Sequence, residues 1–416
     1  MHLNVRKLSL WYLAILAVIT QGAVYWSVYA QESYVALALV GGTVILIAGV
    51  FRTGLPKWFI GYCIATATCY FLSAFMNGIG LSAGLNIKTA ITYDINILII
   101  IVAYSIDRKK LINYFVGFVT VISAVSLVFY ALETILGRDA IGGLFTYMSW
   151  GRGHYVNLFY TYASNDTRNY SIFYEPGVYQ IVTVASLYLL IFGKKYFDVS
   201  SKKYVVAVMI LGAAILTGGS TTGYINLLFL VVGIVLMKEK SDLQKKIAVV
   251  FYIAVAFLFA DYVVSGENSI ISVYVLDKFF EMNTSMEDAY YASSGGARLF
   301  MFNMALQAMK ENPFFGIGNV RVSAAVEDAF FEGFGTGNGL CAMIASKGLI
   351  TAVVTIYPLL VRGYRNRQTM YQYIILLLIY FNTIISQSTY SVVCCAFVLL
   401  MMTDFKETDI LPSAEY

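Results

Sequence analysis

Histidine is nearly missing from this chain. Only His2 and His154 occur among 416 residues, so no His/Cys metal cluster can be assembled. Cysteine is sparse too. Cys63, Cys69, Cys341, Cys394 and Cys395 all lie in apolar runs, where a thiol acts as a small hydrophobe, and no Cys-x-x-Cys spacing appears. A disulfide framework is not expected. Charge is scarce, at 12% of residues against roughly 25% in a soluble globular chain. No Walker-type glycine-rich phosphate loop is found. These absences speak against a His/Cys metalloenzyme, a disulfide-stapled domain and a nucleotide-driven pump.

What is present is apolar: 59% of residues are hydrophobic. Uncharged runs of about 18 residues or more are the mark of membrane-spanning helices. Spans are expected near 9–30, 33–51, 58–76, 89–106, 111–136, 176–193, 203–218, 222–237, 247–264, 337–361, 371–388 and 391–404. The fold class expected is therefore all-α, a polytopic membrane protein of about 12 transmembrane helices in a single integral membrane domain over 1–416. Val28-Tyr29-Ala30 looks faintly like a signal-cleavage site. The apolar run before it, from Leu8, is too long for a signal core, so it reads as an uncleaved first span.

The connections sort by charge. Arg6-Lys7, Arg52/Lys57, Arg108-Lys109-Lys110, Lys194-Lys195/Lys202-Lys203, Lys238/Lys240/Lys245-Lys246 and Arg362/Arg365/Arg367 fall on one set. The alternating set is almost free of Lys and Arg, apart from two long loops, 137–175 and 265–336. The positive-inside rule makes the first set cytoplasmic, with both termini inside and both long loops outside. The short cytoplasmic loops leave no room for a nucleotide-binding domain. The net charge of +4 carries no message about nucleic acid, and none is expected as a partner.

The second loop should hold three short helices, Ser269 to Met282, Ala297 to Lys310 and Asn319 to Phe331, the middle one stopped by Asn312-Pro313. Helices of this length lie on the bilayer surface or pack over a cavity. The first loop interleaves Tyr147, Trp150, Tyr155, Phe159, Tyr160, Tyr162, Tyr170 and Phe173 with Arg152, His154, Asn157, Asn165, Asp166, Arg168 and Asn169. Flat aromatic faces beside amides and Arg suit sugar rings. An interfacial aromatic belt accounts equally for any single one of them.

Three pieces together resemble the bacterial O-antigen polymerase (Wzy) family and its relatives, the O-antigen ligases. They are Phe173-Tyr174-Glu175-Pro176-Gly177, then Gly219-Ser220-Thr221-Thr222-Gly223-Tyr224, then a run from Arg298 through Glu311-Asn312-Pro313-Phe314-Phe315-Gly316-Ile317-Gly318 to Gly337-Asn338 and Lys347-Gly348-Leu349-Ile350. Ligase-like members usually show His-Asn where this chain has Gly337-Asn338, and often Arg where it has Thr221, so the polymerases fit better. The resemblance implies a GT-C-like transferase in the inner membrane, working at the periplasmic face. Its substrate would be an oligosaccharide repeat unit on undecaprenyl pyrophosphate, with membrane lipids around it and a flippase and a chain-length regulator protein as further partners.

The chemistry expected follows from that substrate. Pyrophosphate is a good leaving group whose developing charge must be stabilised, and the planar guanidinium of Arg does this bidentately. Arg298 and Arg168 are the favoured ligands, with Arg321 third and Arg152 also available in the first loop. Arg298 is expected at the positive end of its helix. Glu175 would accept or orient the acceptor hydroxyl's proton, with helix capping as its plainer role, and His154 is the alternative base. Asn338, Tyr174 and Tyr224 are further substrate-binding candidates. No cofactor and no metal is expected. Asp94, Glu133 and Asp261 sit toward the outer ends of spans, where a wet cavity suffices for them. The rivals are an O-antigen ligase, a transporter or flippase for polysaccharide precursors, and a membrane scaffold. The deep spans are nearly free of charge and no repeated halves appear, which disfavours transport.

Overall fold

Where the structure describes them, the apolar runs are helices with bounds close to those expected. The computed structural model describes residues 57–77, 110–137, 148–150, 154–163, 167–193, 201–237, 242–266, 294–329, 338–365 and 369–387, residue 269, and scattered positions between 10 and 24. In chain order the elements are α1 (Lys57–Met76), α2 (Lys110–Leu136), β1 (Met148–Trp150), β2 (His154–Val156), β3 (Thr161–Ala163), α3 (Pro176–Phe192), α4 (Ser201–Thr217), α5 (Thr221–Leu236), α6 (Asp242–Ser265), α7 (Ser294–Glu311), α8 (Asn319–Ala329), α9 (Gly339–Arg365) and α10 (Met370–Ser386). The spans expected at 33–51, 89–106 and 391–404 and the helix expected at Ser269 to Met282 lie outside the described residues.

Two described helices are long and apolar enough to cross a membrane, Lys110–Leu136 and Gly339–Tyr357. Pro176–Phe192, Thr221–Leu236 and Met370–Ser386 are apolar but shorter. Seventeen residues rise only about 25 Å, close to the lower limit for the roughly 30 Å hydrocarbon layer. Exposed apolar side chains support a membrane protein. On α6, Ile253, Phe257, Phe259, Val263 and Val264 all stand exposed, a surface that water would not tolerate and lipid would.

The chain divides into two units, Met1–Gly54 with Leu98–Lys246, and Leu55–Ile97 with Ile247–Tyr416. The first is built around α3, which is apolar on every side and buried from Pro176 to Ile191. It packs with α4 and α5. Here the chain departs from an all-helical reading. The first loop carries a three-stranded antiparallel sheet, β1-β2-β3, with Tyr155 opposite Tyr162 and Val156 opposite Thr161. The β2–β3 turn forms because Asn157 Oδ1 accepts from the backbone N–H of Phe159 and Tyr160 at 2.8 and 2.7 Å. Tyr160 donates from its hydroxyl to Glu133 Oε2 at 2.9 Å, which ties the sheet to the end of α2 and gives buried Glu133 its partner.

The second unit centres on α9, with α1, α7, α8 and α10 against it. Met301, Met304, Ala305 and Ala308 of α7 share one core with Cys341, Ala342 and Ala345 of α9. The small residues let the two backbones approach closely. Helix α7 thus lies along an apolar helix.

Candidate functional site

In the first unit, the helix that FYEPG opens packs against the GGSTTGY turn through Gln180. Glu175 is the N-cap of α3, exposed, with Pro176 at the first helical position. Its backbone carbonyl accepts from Val178 and Tyr179, while its carboxylate makes no cap bond. The capping role therefore falls to the backbone. Five residues on, buried Gln180 donates from Nε2 to the Ile215 carbonyl at 3.1 Å. A methyl group on Gly218 or Gly223 would collide with the Gln180 amide. The glycines around the second motif make room for that side chain. Buried Asn169 closes the same region, its Nδ2 donating to Ser126 Oγ at 3.2 Å and to Thr217 Oγ1 at 3.1 Å.

His154 stands half-buried on β2, edge-on to Tyr170 with 5.6 Å between ring centres. Arg168 lies over the same Tyr170 ring at 6.0 Å. Tyr155 and Tyr162 stack at 5.1 Å, with Tyr155 exposed. A cation, an imidazole and open aromatic faces thus share one end of the unit. Tyr174 is half-buried there. Tyr224 donates its hydroxyl to the Leu216 carbonyl at 2.9 Å, a bond that closes the turn between α4 and α5. Arg152 lies outside the described residues.

In the second unit, the NPFFGIG stretch is a plug. After α7 ends at Glu311, the turn docks beside a break in α9 at Gly348, where φ is 83° and ψ 171°. Leu349 N–H donates to the Pro313 carbonyl at 2.9 Å and Ile317 N–H to the Ala345 carbonyl at 2.8 Å. From α1, Ser73 Oγ and Asn77 Nδ2 donate to the Phe315 carbonyl at 2.8 and 3.0 Å. Backbone thus touches backbone on both sides. A Cβ on Gly316 would stand 2.5 Å from the Ala345 oxygen, and one on Gly348 would collide with the Phe314 carbonyl.

The second unit holds the remaining candidates. Arg298 is half-buried on α7. The helix begins at Ser294, not near Ala297, so Arg298 sits in its second turn, and the dipole effect expected of a first-turn residue is weakened. Arg321 forks onto Glu311, Nη1 to Oε2 at 2.6 Å and Nη2 to Oε1 at 3.2 Å. The Arg321 guanidinium, then Gln307, holds the Glu311 carboxyl below its ordinary range. Asn338 is buried and caps α9, its Oδ1 accepting from the Cys341 N–H at 3.0 Å. Among the described residues, the contact shown for its side chain is through Oδ1.

Residues 205–354 match the family model of the O-antigen ligases, Wzy_C. No curated protein matches the chain. The matched stretch contains GGSTTGY, the NPFFGIG plug, Arg298, Asn338 and the Gly348 break, and begins after FYEPG. It supports the superfamily of O-antigen ligases and polymerases, and with it glycosyl transfer from lipid-linked oligosaccharide in surface polysaccharide synthesis.

Sequence reasoning passed over Gln180, and quoted Lys347 in the third motif without giving it a role. A lone amide inside an apolar helix was the available signal for Gln180, and a lone ammonium inside an apolar run for Lys347.

Proposed function

We propose that this protein polymerises undecaprenyl-pyrophosphate-linked oligosaccharide repeat units into O-antigen or a related surface polysaccharide. It works in the bacterial inner membrane at the periplasmic face, with both termini cytoplasmic and a GT-C-like arrangement of spans. The observation that carries the reading is the family match over 205–354, which takes in the NPFFGIG plug and Gly337-Asn338. Gly337 stands where the ligases resembled here carry His, which favours polymerisation over transfer to lipid A core.

In this account the acceptor sugar's hydroxyl attacks the anomeric carbon of the growing chain. Undecaprenyl pyrophosphate leaves and carries the negative charge that develops. Arg298 and Arg168 stabilise that charge, and no metal is required. Glu175, exposed at the start of α3, accepts or orients the hydroxyl proton, with His154 as the other base. Tyr174, Tyr224, Arg152, Arg321 and Asn338 complete the substrate contacts.

Arg298→Ala in an otherwise intact strain tests this. Losing a charge-assisted fork in a shielded site costs roughly 3 kcal/mol in the transition state, about a hundredfold in rate. Arg298→Lys should remain badly impaired, because it keeps charge and loses the fork. The expected gel shows lipid A core capped with one repeat unit and no ladder, at unchanged protein level. A normal ladder from well-expressed Arg298→Ala removes Arg298 from the site. The ligase reading keeps one specific support, the description of the matched family, and predicts loss of the single-unit band as well.

A further inference from the structure

Among the described residues of the second unit, Lys347 is the one buried charged side chain. It lies within the apolar stretch Gly339–Tyr357 and is only 4% exposed. Its Nζ sits 5.1 Å from the centre of the Tyr70 ring. Among the described residues, no carboxylate or other acceptor meets that ammonium group. Burying a cation costs more than one aromatic face returns, and three N–H donors remain to be used.

Its depth is equally telling. Gly348 breaks α9 immediately after Lys347, and the NPFFGIG turn closes on that break through Leu349 N–H and the Pro313 carbonyl. Beyond the break, from Leu349 to Arg365, the helix rises about 24 Å at 1.5 Å per residue. That covers most of a hydrocarbon layer of roughly 30 Å. The charge pattern sets Arg362 and Arg365 on the cytoplasmic side, so Lys347, beyond the break, falls in the outer part of the layer. It is held there inside protein, on a ring, and away from lipid.

We infer that Lys347 is a binding residue for a lipid-borne phosphate, its ammonium donating to the pyrophosphate of the lipid-linked substrate. This rests on the polymerase reading above and adds a cation to it that the arginines do not supply. Anionic phospholipid offers the same chemistry at the same depth, so the test must separate the two sources.

The test uses the full chain in nanodiscs of zwitterionic lipid, with undecaprenyl pyrophosphate and phosphatidylglycerol titrated in separate arms. Lys347→Met, of similar length and without charge, should weaken undecaprenyl pyrophosphate binding by at least about tenfold, as loss of a charge-assisted contact does. Lys347→Arg should bind better than Lys347→Met. Phosphatidylglycerol binding should not change. The unliganded melting temperature of Lys347→Met should hold or rise, because a buried charge has been removed. Wild-type affinity in Lys347→Met with a lowered melting temperature would make Lys347 structural and overturn the inference. A loss confined to phosphatidylglycerol would assign the site to bulk lipid and overturn it equally. If the unaltered protein ignores undecaprenyl pyrophosphate, the polymerase reading falls and the inference falls with it. If the unaltered protein binds and Lys347→Met binds equally well, only the inference falls.

Discussion

Each unit is packed around a pair of glycines, and the two pairs work differently. Gly218 and Gly223 in the first unit make room for a side chain, the amide of Gln180. Gly316 and Gly348 in the second make room for backbone, each facing the other's strand of chain. A side chain can be shortened or turned aside. A backbone held by hydrogen bonds at 2.8 and 2.9 Å cannot move without losing them. The first motif is thus repairable by a second mutation and the second is not. A glycine-rich motif need not cradle substrate; here both pairs set the position of the helices that carry the candidates.

The largest effect should come from Gly348→Ala. The backbone at φ 83°, ψ 171° is open to glycine alone, and the new methyl meets the Phe314 carbonyl. A cost of about 3 kcal/mol or more is expected, seen as loss of folded protein or a large drop in melting temperature in detergent. A Gly348→Ala variant that melts like the parent would break the comparison.

Gly223→Ala comes next, at about 1–3 kcal/mol from overpacking against Gln180. Combining it with Gln180→Ala should recover much of that loss, a coupling that a double-mutant cycle reads directly. Strict additivity would mean that the Gln180 amide is not what the glycines accommodate. The matching cycle between Gly348→Ala and Phe314→Ala should show no rescue, since the clash is with the carbonyl.

Asn338 sharpens the distinction between scaffold and site. Asn338→Asp keeps the oxygen that caps α9, and the positive end of the helix offsets the cost of its buried charge, so it should lose less stability than Asn338→Ala, which should lose about 1 kcal/mol. If Asn338→Asp abolishes polymer formation at parental stability, the Nδ2 that aspartate lacks contacts substrate. If both variants follow stability alone, Asn338 is a cap.

The smallest effect concerns Glu311. Its carboxyl is held below its ordinary range, so the pair with Arg321 stabilises above the ordinary carboxylate pKa and fades as pH falls through the lowered value. A slight acid-side drop in melting temperature should vanish in Glu311→Gln. The pair is exposed, so the drop should also shrink in salt.

Much of the helical layout was legible in the sequence, because long apolar runs and Asn312-Pro313 announce themselves through hydropathy and backbone restriction. The break at Gly348 was not. A single glycine inside an apolar run looks the same whether the helix continues or turns, and only the docked NPFFGIG turn decides it. The sheet was missed because Tyr155, Tyr162 and their neighbours read equally as sugar platform or aromatic belt. Its register depends on Asn157 folding back on Phe159 and Tyr160. The Arg321 contact with Glu311, ten residues away, was hidden because it needs the turn between α7 and α8 to close. Glu175 was read as a possible cap from its place before Pro176 and Asn338 only as a substrate contact, yet it is Asn338 that caps with its side chain.

One measurement bears most directly on the central claim. The purified chain is supplied with undecaprenyl-pyrophosphate-linked repeat units, without lipid A core, and the products are resolved by size. Polymerisation predicts a ladder of longer lipid-linked chains with release of undecaprenyl pyrophosphate, lost in Arg298→Ala. No elongation until lipid A core is added, followed by transfer onto that core, would contradict the account and establish a ligase.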